Sequence, residues 1–311
     1  MIERIDFETL HDLALRLSGS GSFRAEDIYV DLLLTSALPS IQSKFDFVLK
    51  GGTAITKAHL RPYRFSYDLD FSYFSTGNPR KHYRRYQENA EKFVLKLGFR
   101  IVNDESDRHR EGGRIFVLKL MDDAAYLKIP IKLSVSSIDT KPCLEVVSKK
   151  FNMIVRIPPD PYSILYSEIY RKLESTNAAV LTIEELCAEK MRALATRGPK
   201  GEWSLILRDA VDLCVMDSMG ILDRVLNTPA YVDCIVSKFS AIRNTNYWGK
   251  LKQFVATTPE ITIGKEDVSI FTDAAILNGE KISKVIEKTR NSVKSIIQTI
   301  EKKYASKPEK V

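Results

Sequence analysis

No stretch of this 311-residue sequence approaches the roughly 20 consecutive apolar residues that a membrane-spanning helix needs. The first residues, Met1-Ile-Glu-Arg-Ile-Asp-Phe7, are charged and lack the apolar core of a secretory signal, so the expectation is a cytoplasmic protein. There are four cysteines, Cys143, Cys187, Cys214 and Cys234, and none falls in a C-x-x-C pair. Each sits among apolar residues, which reads as a buried free thiol rather than a disulfide framework. The four histidines are scattered, with no H-x-x-x-H or H-E-x-x-H, which argues against a zinc site. Internal repeats and low-complexity tracts are absent as well.

What is present is an ordinary globular composition, 44% hydrophobic and 28% charged, on a chain long enough for one large domain or two ordinary ones. The net charge of +7 favours a polyanionic partner such as RNA or a nucleotide over an acidic one. Leu10, Leu13 and Leu17 recur at helical spacing, as do Ile28 with Leu32 and Leu34 with Leu38, so the chain to about Ser43 reads as helices. Phe45 to Lys50 reads as a strand that stops at Gly51-Gly52, and Thr53 to Leu60 as a short helix. Asp68 to Phe74 alternates with period two, a second strand. Pro79 to Leu97 has helical composition. Phe99–Val102, Arg114–Leu120, Leu127–Val135 and Phe151–Ile157 read as further strands. Beyond the break at Pro158-Pro159-Asp160-Pro161 the chain turns helical. Thr182 to Glu185 forms a capping box for a helix to about Thr196. A second helix covers about Ser204–Ser218, and a third, amphipathic one about Lys281–Tyr304. The expectation is an α+β fold: a mixed sheet with flanking helices over residues 1–160, and a mainly helical domain over 161–311 that completes an active-site cleft.

The most informative stretch is Lys50-Gly-Gly-Thr53 followed by Arg64-Phe-Ser66-Tyr-Asp68-Leu-Asp70-Phe71. On a strand, side chains two apart point to one face, so Asp68 and Asp70 project together while Leu69 and Phe71 face the core. Adjacent carboxylates raise each other's pKa unless a cation separates them. A hard divalent ion such as Mg²⁺ or Mn²⁺ resolves that conflict and also holds substrate phosphates. The glycines let the backbone approach a polyphosphate, and the N–H groups of the next helix receive its charge. A D-x-D facing solvent on an edge strand is the competing structural explanation.

Two blocks together carry a resemblance. Leu49-Lys-Gly-Gly-Thr-Ala54 with Arg64-Phe-Ser-Tyr-Asp-Leu-Asp-Phe71 resembles the signature of the AbiEii/AbiGii-type nucleotidyltransferase toxins of type IV toxin–antitoxin (abortive infection) systems. Glu189-Lys190 within the 183–194 helix, then Arg208-Asp209-Ala-Val-Asp212-Leu213, matches the second block of that family in order and spacing. The resemblance implies an NTP-dependent enzyme in which Asp68 and Asp70 bind the metal, with Lys190, Asp209 and Asp212 joining them as catalytic residues. Lys50, Gly51, Gly52, Thr53, Arg64, Ser66 and Lys190 would hold the nucleotide. The acceptor would be RNA, in particular a tRNA 3′ end, and a cognate antitoxin is implied as a partner. Read from the residues alone, Lys190 lies on or beside the apolar stripe of its helix, so it must snorkel or meet an anion. Asp209 and Asp212 share a helix face and can hold Lys190, Arg197 or Arg208. Ser66 is a phosphate contact, a self-modification target or a turn-stabilising serine.

One departure from many nucleotidyltransferases stands out. The strand expected to bear a third carboxylate carries Lys132 and Ser134 instead. A kinase-like or protein-modifying transferase, or a non-catalytic RNA- or antitoxin-binding module on the same fold, therefore stays open beside the transferase reading. Arg80, Lys81, Arg84 and Arg85, interleaved with tyrosines, form a basic helix face suited to RNA phosphates. Residues 281–311 hold nine Lys/Arg against three acids, a face open to RNA, an antitoxin or solvent alone.

Overall fold

A computed structural model describes residues 4–19, 23–61, 63–74, 79–103, 115–138, 143–154, 167–197, 203–240, 247–256 and 282–304. The chain divides into two compact units, Met1–Pro142 with Val146–Leu181, and Cys143–Glu145 with Thr182–Val311.

The first unit runs α1 Phe7–Gly19, α2 Ala25–Lys44, β1 Phe47–Lys50, α3 Gly51–Ala54, β2 Asp68–Phe74, α4 Pro79–Lys96, β3 Phe99–Ile101, β4 Ile115–Asp122, β5 Ile131–Ile138, β6 Val146–Lys150, α5 Ser167–Glu174 and β7 Asn177–Leu181. The strands form one seven-stranded sheet in the order β3-β4-β5-β2-β1-β7-β6. β2 runs parallel to β5 and β1 parallel to β7, while the other neighbours are antiparallel. This is the expected α+β arrangement, a mixed sheet with flanking helices.

The central strands separate two faces by the period-two rule. Phe47 and Leu49 of β1, Leu69 and Phe71 of β2, Leu133 and Val135 of β5, and Phe116 and Leu118 of β4 are all buried. The register places them side by side on one face. Phe47 is their hub, with its ring 5.6 Å from Phe71 and 6.5 Å from Phe116. Each such aromatic contributes about 2–3 kcal/mol by burial. Lys50, Asp68, Asp70, Ser72, Lys132, Ser134 and Ser136 occupy the opposite face.

Helix α2 is buried nearly all round, from Asp27 through Ile41, as expected of a helix inside the fold rather than on it. Gln42 near its end clips the sheet, donating to the Phe47 and Ala179 carbonyls at 2.9 and 2.8 Å. Tyr67, ahead of β2, donates to Asp27 Oδ1 at 2.9 Å, and Arg24 grips the same carboxylate. These bonds fix the approach to the Asp-x-Asp strand.

Several elements differ from the sequence reading. The helix after the glycines is a single α turn followed by a π turn, Ile55–His59. Residues 151–154 of the expected Phe151–Ile157 strand are not strand; the pairing segment lies earlier, at β6. Phe151 instead buries its ring beneath Lys57 Nζ, 4.9 Å from the ring centre. The expected break at Pro158–Pro161 lies outside the described residues. Residues 177–181, read with the helical half, form β7 and pair with β1 and β6.

The second unit is helical among its described residues: α6 Ile183–Arg197, α7 Trp203–Ser218, α8 Ile221–Asn227, α9 Pro229–Ser240, α10 Tyr247–Ala256 and α11 Ile282–Tyr304. Val293, Ile296, Ile297 and Ile300 of α11 are buried, which is the apolar stripe read from the sequence. The capping box is half formed. The Glu185 N–H donates to Thr182 Oγ1 at 3.3 Å, whereas the Glu185 carboxylate accepts from the Cys143 and Leu144 N–H groups instead. Among the described residues no helix is long and apolar enough to cross a membrane.

Candidate active site

The site begins with two glycines at which any side chain would meet a charged group. Gly51 has φ of 71°, a left-handed conformation costly for any residue with a β-carbon. A β-carbon there would also lie 2.6 Å from Asp70 Oδ2 and 3.1 Å from Asp70 Cβ. At Gly52 a β-carbon would overlap Arg64 Nη2 and lie 3.2 Å from Arg64 Cζ. Each glycine therefore makes room for a charged group of the Arg64–Phe71 segment. The Asp70 carboxylate rests on the backbone of the first, and the Arg64 guanidinium on that of the second.

Across the sheet, Asp70 stands opposite Lys50 on β1 and Ser134 on β5. Ser134 Oγ donates to Asp70 Oδ1 in a short hydrogen bond. Lys50 Nζ donates to Ser136 Oγ at 2.6 Å, and the Ser136 hydroxyl donates in turn to the Phe71 carbonyl at 3.1 Å. Asp68, one step along the same face, stands opposite Lys132. Asp68 and Asp70 are both half-buried. The position where a third acid was expected thus carries a hydroxyl already bonded to Asp70, and the neighbouring row carries a lysine.

Thr53 Oγ1 donates to the Asp68 carbonyl at 2.5 Å and shares a hydrogen bond of 2.7 Å with Ser66 Oγ. This joins the glycine helix to the start of β2. Ser66 precedes the strand, which begins at Asp68, and its buried hydroxyl serves this junction. Arg64 is buried and donates from Nη1 to the Phe65 carbonyl at 3.0 Å.

A buried ion pair that the sequence reading missed anchors the same helix. Lys57 is fully buried and meets Asp31 of α2 in a short contact, with Thr35 Oγ1 at 2.9 Å. Asp31 Oδ2 also accepts the Ile154 N–H at 2.9 Å. Burial pulls the Lys57 ammonium below its ordinary range, and the Asp31 carboxylate opposes that pull. The available signal was an acid standing inside the apolar run Ile28–Leu34.

The residues singled out in the helical unit form their own cluster. Lys190 Nζ lies 2.7 Å from Asp209 Oδ1 and 2.7 Å from Asp212 Oδ2, and Arg197 pairs with Asp209. Of the three cations that Asp209 and Asp212 could hold, Lys190 and Arg197 pair with them. The lysine on the apolar stripe does meet anions, and two of them are carboxylates of α7.

Of the basic helix residues, Arg84 and Arg85 are exposed, with Arg84 paired to Glu88 at 3.1 Å. The side chains of Arg80 and Lys81 lie outside the described residues.

With this geometry in view, the family is decided by sequence. Residues 32–284 match the family described as nucleotidyl transferase AbiEii toxin, type IV TA system. The chain belongs to that family. It is accordingly a nucleotidyltransferase enzyme of the AbiEii toxin type, as its two motif blocks indicated. Among solved structures it is similar to JHP933 from Helicobacter pylori, at 15% identity over 98% of this chain and 97% of that one, with a TM-score of 0.36. A second H. pylori chain, provisionally assigned as a nucleotidyltransferase, is also 15% identical, over 96% and 98% of the two chains, again with a TM-score of 0.36. No curated protein matches the chain.

The donor set fits a hard divalent cation. Two half-buried carboxylates one residue apart supply oxygen ligands, and a hydroxyl bond with the glycine turn fixes one of them. Mg²⁺ characteristically uses one or two carboxylates and completes its shell with substrate phosphates and water. A pair of acids suffices for that mode.

Proposed function

We propose that this AbiEii-type enzyme transfers a nucleoside monophosphate from an NTP to an RNA acceptor, a tRNA 3′ end, with Asp68 and Asp70 holding one Mg²⁺ or Mn²⁺ ion. The observation that supports this most strongly is the packing of the Asp70 carboxylate onto the left-handed Gly51. It gives the acidic pair and the phosphate-accepting glycine turn one shared location.

When bound, the cation supplies charge stabilisation for the phosphates and the departing pyrophosphate. The chain's own residues do the rest. The Gly52 and Thr53 N–H groups, at the start of the glycine helix, face the charge of the polyphosphate. Lys50 and Lys132, across from the two acids, add positive charge beside the same phosphates. Ser134 holds the Asp70 carboxylate in one orientation. Arg64 is part of this nucleotide site, with its guanidinium against the Gly52 backbone, and Ser66 contributes through Thr53. Because β5 offers Lys132 and Ser134 rather than a third acid, the reading has a single metal ion. Lys190, Asp209 and Asp212 belong to the proposal on the family resemblance; Lys190's role there is to neutralise phosphate charge. Arg84 and Arg85, with Arg80 and Lys81, provide phosphate contacts for the RNA. A type IV antitoxin is the expected protein partner, and the cytoplasm the expected place of action.

The test is incubation of the full chain with each α-labelled NTP, total tRNA and Mg²⁺. Labelling of RNA that is prevented when EDTA is present from the start supports the proposal. Label on protein instead would replace it with a protein acceptor, and RNA binding without transfer of any label would remove the RNA acceptor from the account.

A further inference from the structure

The helical unit contains a second cluster, unrelated to the acidic pair. The ligand atoms of Cys143, Glu185 and Cys234 lie within 4.8 Å of one another. Glu185, on the first turn of α6, is fully buried. Its Oε1 accepts from Lys238 Nζ at 2.7 Å and from the Cys143 N–H at 3.3 Å, and its Oε2 from the Leu144 N–H at 3.1 Å. Lys238 reaches on to Glu189 Oε1 at 3.1 Å. The carboxylate thus pins the Cys143–Leu144 backbone to α6 and holds the Cys143 sulfur against Cys234 of α9.

This spacing admits two chemistries, a soft metal ion or a dithiol. The only carboxylate already takes three donors, one of them a buried ammonium. A dication would have to sit beside that positive charge, whereas a thiolate gains from it. The two thiols also differ in access. Cys143 is exposed, against the sequence reading of four buried thiols, and Cys234 is 3% exposed. The Cys234 thiol, donating towards it, and the Lys238 ammonium hold the Cys143 thiol down at about 7, while Cys234 is pushed well up. An accessible, partly ionised thiol beside a shielded protonated one is the arrangement of an attacking and a resolving cysteine.

We propose that Cys143 and Cys234 are a redox site, closed to a reversible disulfide by a low-molecular-weight disulfide such as oxidised glutathione. The Cys143 thiolate attacks one sulfur of the small disulfide. That S–S bond breaks, and the first small thiolate leaves. Cys234 then loses its proton to solvent and attacks Cys143 Sγ, expelling the second small thiolate. Two protein thiols lose two electrons in total, one small disulfide becomes two thiols, and the two protons end on those thiols. Cys187 and Cys214, both buried, stay reduced. The closed bond lies at the start of the helix that carries Lys190.

The experiment is exposure of the full chain to oxidised glutathione, acid quenching, alkylation, and peptide mass spectrometry without reduction. A Cys143–Cys234 linked peptide, lost on adding dithiothreitol, is expected in the unaltered protein. Cys234→Ser is expected to stop at a glutathione adduct on Cys143, and Cys143→Ser to leave Cys234 unmodified. A stable adduct on Cys143 in the unaltered protein with no linked peptide would overturn the proposal. So would one equivalent of zinc bound to the purified chain and lost in Cys143→Ser, which would assign the cluster to a metal.

Discussion

Gly51→Ala isolates the contact on which the site is built. The substitution adds one methyl group and removes no charge. Its backbone cost, at φ of 71°, is about 1 kcal/mol. The new β-carbon would stand 2.6 Å from Asp70 Oδ2, so restoring ordinary contact near 3.4 Å moves that oxygen by about 0.8 Å. Asp70 Cβ, at 3.1 Å and fixed on a central strand, gives little. Overpacking of this kind costs a further 1–2 kcal/mol or so, for a total destabilisation of roughly 2–3 kcal/mol. A misplacement approaching 1 Å in a reacting site lowers the rate by about 100-fold. Urea denaturation measures the first effect and nucleotidyl transfer the second. In an Asp70→Ala background the overlap with Oδ2 is gone, while the backbone term and the 3.1 Å contact with the β-carbon of residue 70 remain. The two substitutions should therefore couple by about 1 kcal/mol in a double-mutant cycle. Additive losses, or full transfer activity in Gly51→Ala, would refute the claim that Asp70 is seated on this glycine.

Other consequences follow from the buried charges. Lys57→Met strands the Asp31 carboxylate and should cost about 3–5 kcal/mol by chemical denaturation. Adding Asp31→Asn should restore part of it, because the amide oxygen still accepts the Ile154 N–H; no recovery would contradict the ion-pair reading. Lys190→Met leaves Asp209 and Asp212 with fewer counter-charges and should lose a similar amount, about 3–5 kcal/mol. NTP affinity of the folded fraction should fall several-fold as well, and an unchanged affinity would assign Lys190 to the ion-pair network alone. Cys143, lowered to about 7 by Cys234 and Lys238 against the opposing pull of burial and the Glu185 carboxylate, should alkylate at half its maximal rate near pH 7. The rate rises with pH because only the thiolate reacts; a midpoint near the ordinary value of about 8.5 would contradict the assignment.

Local pattern carried the centre of the fold and much of the site into the sequence. Asp68 to Tyr73 alternates polar and apolar residues, and the strand spans Asp68–Phe74. The acids share a face because the period is two, and Gly51 marks a turn because its backbone takes a φ of 71°. Asp209 and Asp212, one helical turn apart, were readable as partners for Lys190. Features fixed by distant partners were not readable. Thr182-x-x-Glu185 has the form of a capping box, yet the Glu185 carboxylate turns to Lys238, 53 residues on, because a buried ammonium outbids the cap N–H. The segment at Phe151 has strand composition, but its ring is taken by the buried Lys57, which lies far back in the chain. β7 is five residues of unremarkable Asn-Ala-Ala-Val-Leu that become a strand only by pairing with β1 and β6.

The central claim is that Asp68 and Asp70 together hold a divalent ion that nucleotidyl transfer requires. Titration of the full chain with Mn²⁺, in the presence of a non-hydrolysable NTP and followed by electron paramagnetic resonance, measures that ion directly. One bound Mn²⁺ per chain is expected, lost in both Asp68→Ala and Asp70→Ala while circular dichroism stays unchanged. Retention of that ion in either folded variant would contradict the account.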